Sequence, residues 1–511
     1  MITLNRKCLL VLSLAYIYLP IIIFFVTWTR PLIALVCLEV LLTCLIRYEK
    51  KSSGREVPRK CDNNVQISVF MLMLVAVFLI WVGYYAGYGR FVDQVSDWNK
   101  HNAVLADLVN RPWPVYYSNG DEHSMLTYYI AGYIVPGMIG KIFDSFRCAE
   151  ISLYVWNELG LILVFLYVVS FLKARRTVEQ LAVAIAIPFF SIPVWLSKLF
   201  LKHFAGTDLM SPFWYYNDNA PDGIKIWYFD NFFSLSWVFP QVITIWIMIL
   251  ILIEYKDYIK YYVIVMLPGV MYGTLSFIGL LPLCLGCVLE KFLREKDKGI
   301  FRQIFSFENI SVALTSGLVF LLYLYGNVTG EKPAEVNFHL MPYRTNTVIV
   351  YFMFVFINAV IYAMILFKDH KKDGIYYAGF ATLILLPFIS MGKWNDLLTR
   401  ASIPGLFVLM IYVLSFLKQQ YTNGIDNFLR SKKVAICLVL SLIGAYYPFF
   451  QLSSHAATED YSKLGHGNGW ASLEAFANRK ANVPNDFKYN YYSYDLEDNI
   501  FYKYIAPDHG D

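Results

Sequence analysis

Asp93, Asp97 and His101 follow one another at four-residue steps, with Lys100 beside His101. On a helix that spacing puts the three side chains on one face, at steps of about 5–6 Å. A carboxylate close to another acid and to an apolar phase holds its proton more tightly, and a neighbouring cation loosens it again. A base held in that balance can take a proton from a hydroxyl group. A plainer reading of the same spacing is a solvated surface helix with an Asp97–Lys100 or Asp97–His101 pair, worth roughly a few tenths of a kcal/mol. These residues belong to the stretch 89–125, GRFVDQVSDWNKHNAVLADLVNRPWPVYYSNGDEHSM, the longest polar interruption in the first half of the chain. It follows the apolar run Ile67–Tyr88 directly and also holds Asp107, Arg111, Asp121, Glu122 and His123. Ionisable groups gathered beside a membrane helix point to function.

The elements that must position this loop are membrane helices. The chain has 511 residues, 58% of them hydrophobic and only 16% charged, and its mean hydropathy is +0.48. Soluble domains carry about 25% charged residues, so the partner solvent is the lipid bilayer. Aromatics reach 18% and suit both interface belts and the lining of a large cavity. The net charge of +5 does not indicate nucleic acid, because the basic residues fall in loops between apolar runs. The Cys284/Cys287 spacing lies inside a Leu-rich run and reads as packing; no disulfide framework or zinc spacing is present.

Apolar runs able to cross a core of about 30 Å occur near 8–28, 31–46, 66–88, 151–172, 181–201, 237–254, 311–326, 347–367, 375–390, 402–417 and 434–451. The run 260–290 is interrupted by Pro268, Gly269 and Gly273 and divides into two short spans meeting near Tyr272–Ser276. The expected fold is thus an all-α polytopic membrane protein of about 13 transmembrane helices. Its first outer loop carries short helices, and a small extracytoplasmic tail ends the chain. Basic clusters at Arg6/Lys7, Arg47–Lys60, Lys173–Arg176, Lys256–Lys260, Lys291–Arg302, Lys368–Lys372 and Lys418–Lys433 face the cytoplasm by the positive-inside rule. This puts the N-terminus inside and 89–150, 202–236, 327–346, 391–401 and 452–511 outside. Leu126–Phe143 would invert the scheme if it crossed, so it reads as a helix lying on or dipping into the outer surface; Pro136, Gly137 and Gly140 fit a short or broken helix. The chain divides into two N-terminal spans with a basic loop (1–65), a core with the outer loop (66–330), C-terminal spans (331–451) and the tail (452–511), which is expected to pack on the outer loops.

The remaining outer loops supply further candidates. Loop 202–236 mixes aromatics with Asp208, Asp218, Asp222 and Asp230; loop 327–346 carries Arg344 just before a span; and Gly392-Lys393-Trp394-Asn395-Asp396-Leu397-Leu398-Thr399-Arg400 is dense in hydrogen-bonding groups between two spans. The histidines show no metal-ligand spacing on one helix.

From Asp93 to Lys141 the pattern D-x-x-x-D-W-x-K-H-N-A-V-L-x-D-L, W-P-V-Y-Y and L-T-Y-Y-I-A-G-Y-I-V-P-G-M-I-G-K resembles the start of the GT-C superfamily, the multi-span glycosyltransferases that use polyprenyl-phosphate-linked sugars. In these enzymes an outer loop after a membrane helix carries one or two acids, followed by a Tyr-rich apolar segment and a small-residue turn. Trp237-Val238-Phe239-Pro240-Gln241, Leu275-Ser276-Phe277-Ile278-Gly279-Leu280-Leu281-Pro282 and Arg400-Ala401-Ser402-Ile403-Pro404 extend the likeness over roughly 66–420, toward an uncharacterised bacterial branch. Two spans precede the presumed core. Trp98 stands where many members carry a second acid, which leaves a divalent metal, Mg or Mn, open as a cofactor.

The resemblance implies transfer of a sugar from a polyprenyl-(di)phosphate donor to a cell-envelope glycan, lipid or protein acceptor at the outer face of the inner (plasma) membrane. Asp97 would be the general base, with Asp93 as its alternate, and inversion at the anomeric carbon would follow. The leaving phosphate needs cationic donors, and the planar guanidinium fork suits it; Arg400, Lys393 and Arg344 are the outer cations nearest span ends. Lys100, His101, Asp230, Asn395 and Asp396 would bind substrate. Snorkelling to lipid headgroups explains the same cations in a plainer way. Two other classes stay in view: a polysaccharide polymerase or ligase, which usually carries its charged loop late in the chain, and a flippase or transporter of lipid-linked glycan, which calls for ionisable residues inside spans and an internal repeat. Glu39 and Glu158 are the acids inside spans, and no repeat is apparent.

Overall fold

The computed structural model describes residues 2–53, 65–95, 97–119, 122–194, 196, 226–295, 299–326, 338–340, 345–391, 395–457, 472–473, 491–493, 496 and 499–507. Among them, eight helices are long and apolar enough to cross a membrane: Arg6–Trp28, Pro31–Ser52, Phe146–Leu172, Thr274–Glu295, Gly299–Tyr325, Tyr351–His370, Asp396–Thr422 and Lys432–Ser453. Five shorter apolar helices, Val69–Tyr85, Thr177–Phe189, Phe239–Glu254, Ile259–Tyr272 and Gly374–Phe388, run among them. The helices lack a polar face. Their outward positions, among them Leu32, Phe70, Val77, Leu293, Leu314, Leu321, Met364 and Leu442, are exposed large apolar side chains. Such a girdle is stable against lipid and not against water.

The first helices are α1 (Arg6–Trp28), α2 (Pro31–Ser53) and α3 (Val69–Tyr85). Next come α4 (Trp98–Asn110), the strands β1 (Tyr116–Asn119) and β2 (Glu122–Leu126), α5 (Ala131–Ile142), α6 (Phe146–Leu172) and α7 (Thr177–Phe189). The two strands pair antiparallel, Tyr116 opposite Met125 and Tyr117 opposite Ser124. The first outer loop thus carries the short helices α4 and α5, with a hairpin between them that the sequence reading did not include.

The hairpin marks one end of the bundle. The N-terminus marks the other, where Arg6 pairs with Glu254 at 3.1 Å. At the hairpin end the α1–α2 turn meets the C-terminal tail, and Arg90 pairs with Glu150 at 2.7 Å, tying the end of α3 to the start of α6. α5 has only 12 residues, about 18 Å at the helical rise, too short to cross on its own. It packs buried against α4 and α6, with Gly137 against Leu108 and Gly140 against Ala149. The run 260–290 is divided as its Gly and Pro residues suggest: helical segments from Ile259 to Tyr272 and from Thr274 to Glu295 meet at Gly273. Gly273 lies against the Gln241 side chain. Tyr272 donates to the Ile17 carbonyl at 2.9 Å and Tyr18 to the Ile264 carbonyl, which locks this hairpin of helices onto α1.

Candidate active site

The loop before α4 is pinned before it carries any chemistry. Gly87 turns the chain off α3 at φ +95°, with Trp98 and Gln94 filling the space where a side chain would stand; a left-handed turn with no room for Cβ requires glycine. Gln94 donates to the Gly87 carbonyl at 2.6 Å, and Asn102 donates to Gln94 at 2.7 Å. Trp98 stacks on Phe239 at 4.9 Å and 13°, and its indole N–H donates to the Ser236 carbonyl at 2.9 Å. Lys141 donates to the Arg111 carbonyl at 2.5 Å, covering the C-terminal end of α4 with a cation.

Helix α4 begins only at Trp98. Asp97 precedes it, and its carbonyl accepts from the His101 amide at 3.3 Å. Asp93 lies outside the helix, in the stretch 93–95 without regular structure. The common face expected for Asp93, Asp97 and His101 is therefore not formed. Asp97 Oδ2 accepts from Lys100 Nζ at 2.6 Å, and Oδ1 has no hydrogen-bond partner among the described residues. Burial pushes the Asp97 carboxyl up, but the charge and hydrogen bond of Lys100, with Arg400 adding to them, hold it below its ordinary value.

His101, expected to bind substrate, lies buried beneath the loop. It is 2% exposed. The Tyr133 hydroxyl meets Nδ1, and Nε2–H donates to the Trp237 carbonyl at 3.0 Å, so both ring nitrogens are engaged. Burial pushes its pKa down to about 3, and the ring is neutral at physiological pH.

The late loop supplies the facing pole. Asn395 adopts a left-handed conformation (φ 53°) and caps the helix Asp396–Ala401, accepting from the Leu398 amide at 3.4 Å and from Met391 N–H at 3.3 Å. Asn and Gly tolerate that backbone best. Gly279 lets the helix Thr274–Glu295 come into contact with the Ala401 carbonyl, which sets the position of the preceding residue, Arg400. Arg400 Nη1 bonds Asp396 and, at 3.2 Å, the Thr399 hydroxyl. Nε and Nη2 have no hydrogen-bond partner among the described residues. The guanidinium lies 5.9 Å from the Phe229 ring centroid and acts electrostatically on Asp97 and on the phenols of Tyr129 and Tyr491. Two acid–cation pairs from opposite halves of the chain thus share one neighbourhood.

Aromatic walls join the poles. On one side Trp237 stacks on Phe233 at 4.9 Å and 6°, Phe233 meets Phe229 at 4.4 Å, and Phe229 meets Arg400. On the other, Tyr129 and Tyr128 lie ring to ring, and Gln241 donates to the Tyr129 hydroxyl at 2.8 Å. Burial pushes the Tyr129 phenol up to about 12, with Arg400 opposing. A neutral phenol, an uncommitted carboxylate oxygen and two uncommitted guanidinium nitrogens can together bind an anion and accept a proton.

Asp230 is placed differently from Asp97. It is the N-cap of the helix Asn231–Trp237, accepting from the Phe233 amide at 2.8 Å. Burial outweighs its backbone donors and pushes it up to about 7. Its neighbour Phe229, rather than Asp230 itself, touches Arg400. Lys393 and Arg344 lie outside the described residues. Among the described residues no group of three or more His, Cys, Asp or Glu could hold a metal ion. Comparison with protein-family models, curated proteins and solved structures finds no match to this chain.

Proposed function

We propose that the protein is a GT-C-like glycosyltransferase of the plasma membrane, moving a sugar from a polyprenyl-phosphate-linked donor to a cell-envelope acceptor. Read together with the apolar residues that flank the shorter helices, the eight long helices and the five shorter ones make thirteen crossings, with the N-terminus cytoplasmic and the hairpin end facing outward. No nucleotide sugar is present there, so the donor is presented from the bilayer. One observation carries this reading: an uncommitted oxygen of Asp97 and uncommitted guanidinium nitrogens of Arg400 share one aromatic-walled neighbourhood at the end of an apolar bundle.

Arg400 binds the donor phosphate and stabilises it as it leaves. The acceptor hydroxyl attacks the anomeric carbon from the opposite face, and Asp97 takes its proton. Bond breaking leads in glycosyl transfer, through an oxocarbenium-like transition state. The hydroxyl therefore becomes acidic as it bonds, and a carboxylate with a lowered pKa suffices as base. Lys100 keeps Asp97 ionised and oriented; His101, Tyr133 and Trp98 hold the helix that presents it. Asn395 and Asp396 position Arg400.

Glu158 on α6 favours a second reading, transport of a lipid-linked glycan. It is 6% exposed, lies against the space left by Gly83, and neither carboxylate oxygen has a hydrogen-bond partner among the described residues; an ionisable group inside a membrane span is a functional candidate by default. Mass spectrometry of membrane glycolipids and surface glycans from cells lacking the protein separates the two. Loss of one sugar with accumulation of a polyprenyl-linked donor supports transfer. Accumulation of a complete lipid-linked glycan supports transport, and an unchanged profile contradicts both.

A further inference from the structure

Helix α6 carries a carboxyl that the transfer chemistry does not use. Glu158 lies about 18 Å along α6 from Phe146 at the helical rise, and it is buried. Neither of its oxygens has a hydrogen-bond or ion-pair partner among the described residues. A carbon added at Gly83 of α3 would meet Glu158 Oε1 first, and then the rings of Tyr154 and Tyr88, each at 2.9 Å. The Tyr16 hydroxyl stands against Gly160, two residues along α6.

These three phenols spend their hydrogens elsewhere. Tyr88 donates to the Leu235 carbonyl at 3.1 Å, Tyr16 to the Trp156 carbonyl at 3.3 Å, and Tyr154 to the Ile80 carbonyl. No cation stands at this level either. Helix α3 has no charged residue, α1 has only Arg6 and Lys7 at its start, and the helix Ile243–Glu254 has only Glu254 at its end. On α6 itself the cations Arg90 and Arg147 are held by Glu150 at 2.7 and 3.0 Å, about 12 Å from Glu158 along the helix. A carboxylate with no donor and no counter-charge is costly in an apolar interior, and such a group neutralises instead. A hard metal ion takes a shell of oxygen ligands, whereas ring carbons share the space beside Oε1. A proton needs no shell.

We infer that Glu158 is a proton-binding site inside the bundle, exchanging its proton through the seam between α3 and α6. The seam borders lipid: Val155 and Leu159 of α6 and Ile80 of α3, on either side of it, are exposed apolar side chains. The site stands independently of the transfer reading, and it gives the transport reading a proton to couple to.

The test treats the purified full chain in detergent with dicyclohexylcarbodiimide, an apolar reagent for protonated carboxyls, and maps the adduct by peptide mass spectrometry. The acid proton passes to a carbodiimide nitrogen and the carboxyl oxygen bonds the central carbon. Migration of the acyl group to nitrogen then leaves an N-acylurea that contains the whole reagent. At neutral pH the label is expected at Glu158 and is lost as the pH is raised. Glu290, paired with Lys256 and bonded to the Gly374 amide, stays unlabelled. Infrared difference spectra of wild type against Glu158→Gln, which keeps the shape of the neutral acid, read the proton without any need for reagent access. The expected difference is one carboxylic-acid band lost in the variant. An acid band with no label at Glu158 overturns exchange through the seam. Carboxylate bands in the difference, with or without sodium ion in the buffer, overturn the site itself.

Discussion

Two ionic clusters at opposite ends of the bundle use the same residue types for different ends. At the N-terminal end Lys256 pairs with Glu290 at 2.8 Å and with Asp373 at 3.7 Å, and Arg294 pairs with Asp257 at 2.6 Å and with Glu290 at 3.7 Å. The second oxygen of Glu290 accepts from the Gly374 amide at 2.9 Å, and Tyr412 donates to Asp373 at 2.8 Å. Apart from the Arg294–Glu290 contact within one helix, these pairs tie the turn that carries Lys256 and Asp257 to the helices Thr274–Glu295, Gly374–Leu385 and Ile403–Thr422. At the hairpin end the two pairs are local, Asp97 with Lys100 at i, i+3 and Asp396 with Arg400 at i, i+4, and each leaves hydrogen-bonding atoms uncommitted. Charges consumed by cross-links hold a fold. Charges held locally, with atoms to spare in one shared neighbourhood, make a place for a ligand.

The largest expected effect that separates the two clusters is on stability. Glu290→Ala removes the acid shared by Lys256, Arg294 and Gly374; breaking a largely buried pair by deleting one partner costs about 3 kcal/mol. Thermal unfolding in detergent should show that loss, while transfer per folded molecule stays at the wild-type level. A stable variant with lost transfer would erase the distinction between the ends. At the hairpin end the converse is expected. Arg400→Lys keeps the charge and loses the fork, so the KM for donor should rise about tenfold with little change in unfolding temperature. An unchanged donor KM would move Arg400 to the structural group.

The smallest effect is on pH dependence. Lys100 lowers the pKa of Asp97, so the acid limb of the rate profile lies below the ordinary carboxylate value. Lys100→Met removes the opposing charge and leaves the burial that raises Asp97. The limb should move to higher pH, with activity lost earlier on acidification. The same sign applies to stability: an acid with a depressed folded pKa stabilises above its unfolded pKa, and the contribution fades as pH falls through the folded one. A limb that stays fixed, or moves down, would show that Lys100 does not set the charge on Asp97.

Much of this was readable from residue patterns. Apolar runs and the Pro268, Gly269 and Gly273 interruptions locate helices because lipid demands continuous apolar stretches with every backbone group bonded internally. Asp97 and Arg400 are legible as charges beside spans. Their proximity is not, because it depends on helix packing such as the contact of Gly279 with Ala401. His101 looked like a surface ligand because its two partners, Tyr133 and the Trp237 carbonyl, are distant in sequence. Asp230 gave no sign of its cap role beyond the position of an acid before a short helix.

The most direct test of the hairpin end as a catalytic site is complementation with Asp97→Asn in cells lacking the protein, read by mass spectrometry of glycolipids and surface glycans. The expected result is a protein that accumulates and folds as wild type while the envelope glycan still lacks its sugar and the polyprenyl-linked donor builds up. General-base removal typically costs about 10²–10⁴-fold in rate. Full restoration of the glycan by Asp97→Asn would contradict the assignment and return the Asp97–Lys100 pair to an ordinary surface contact.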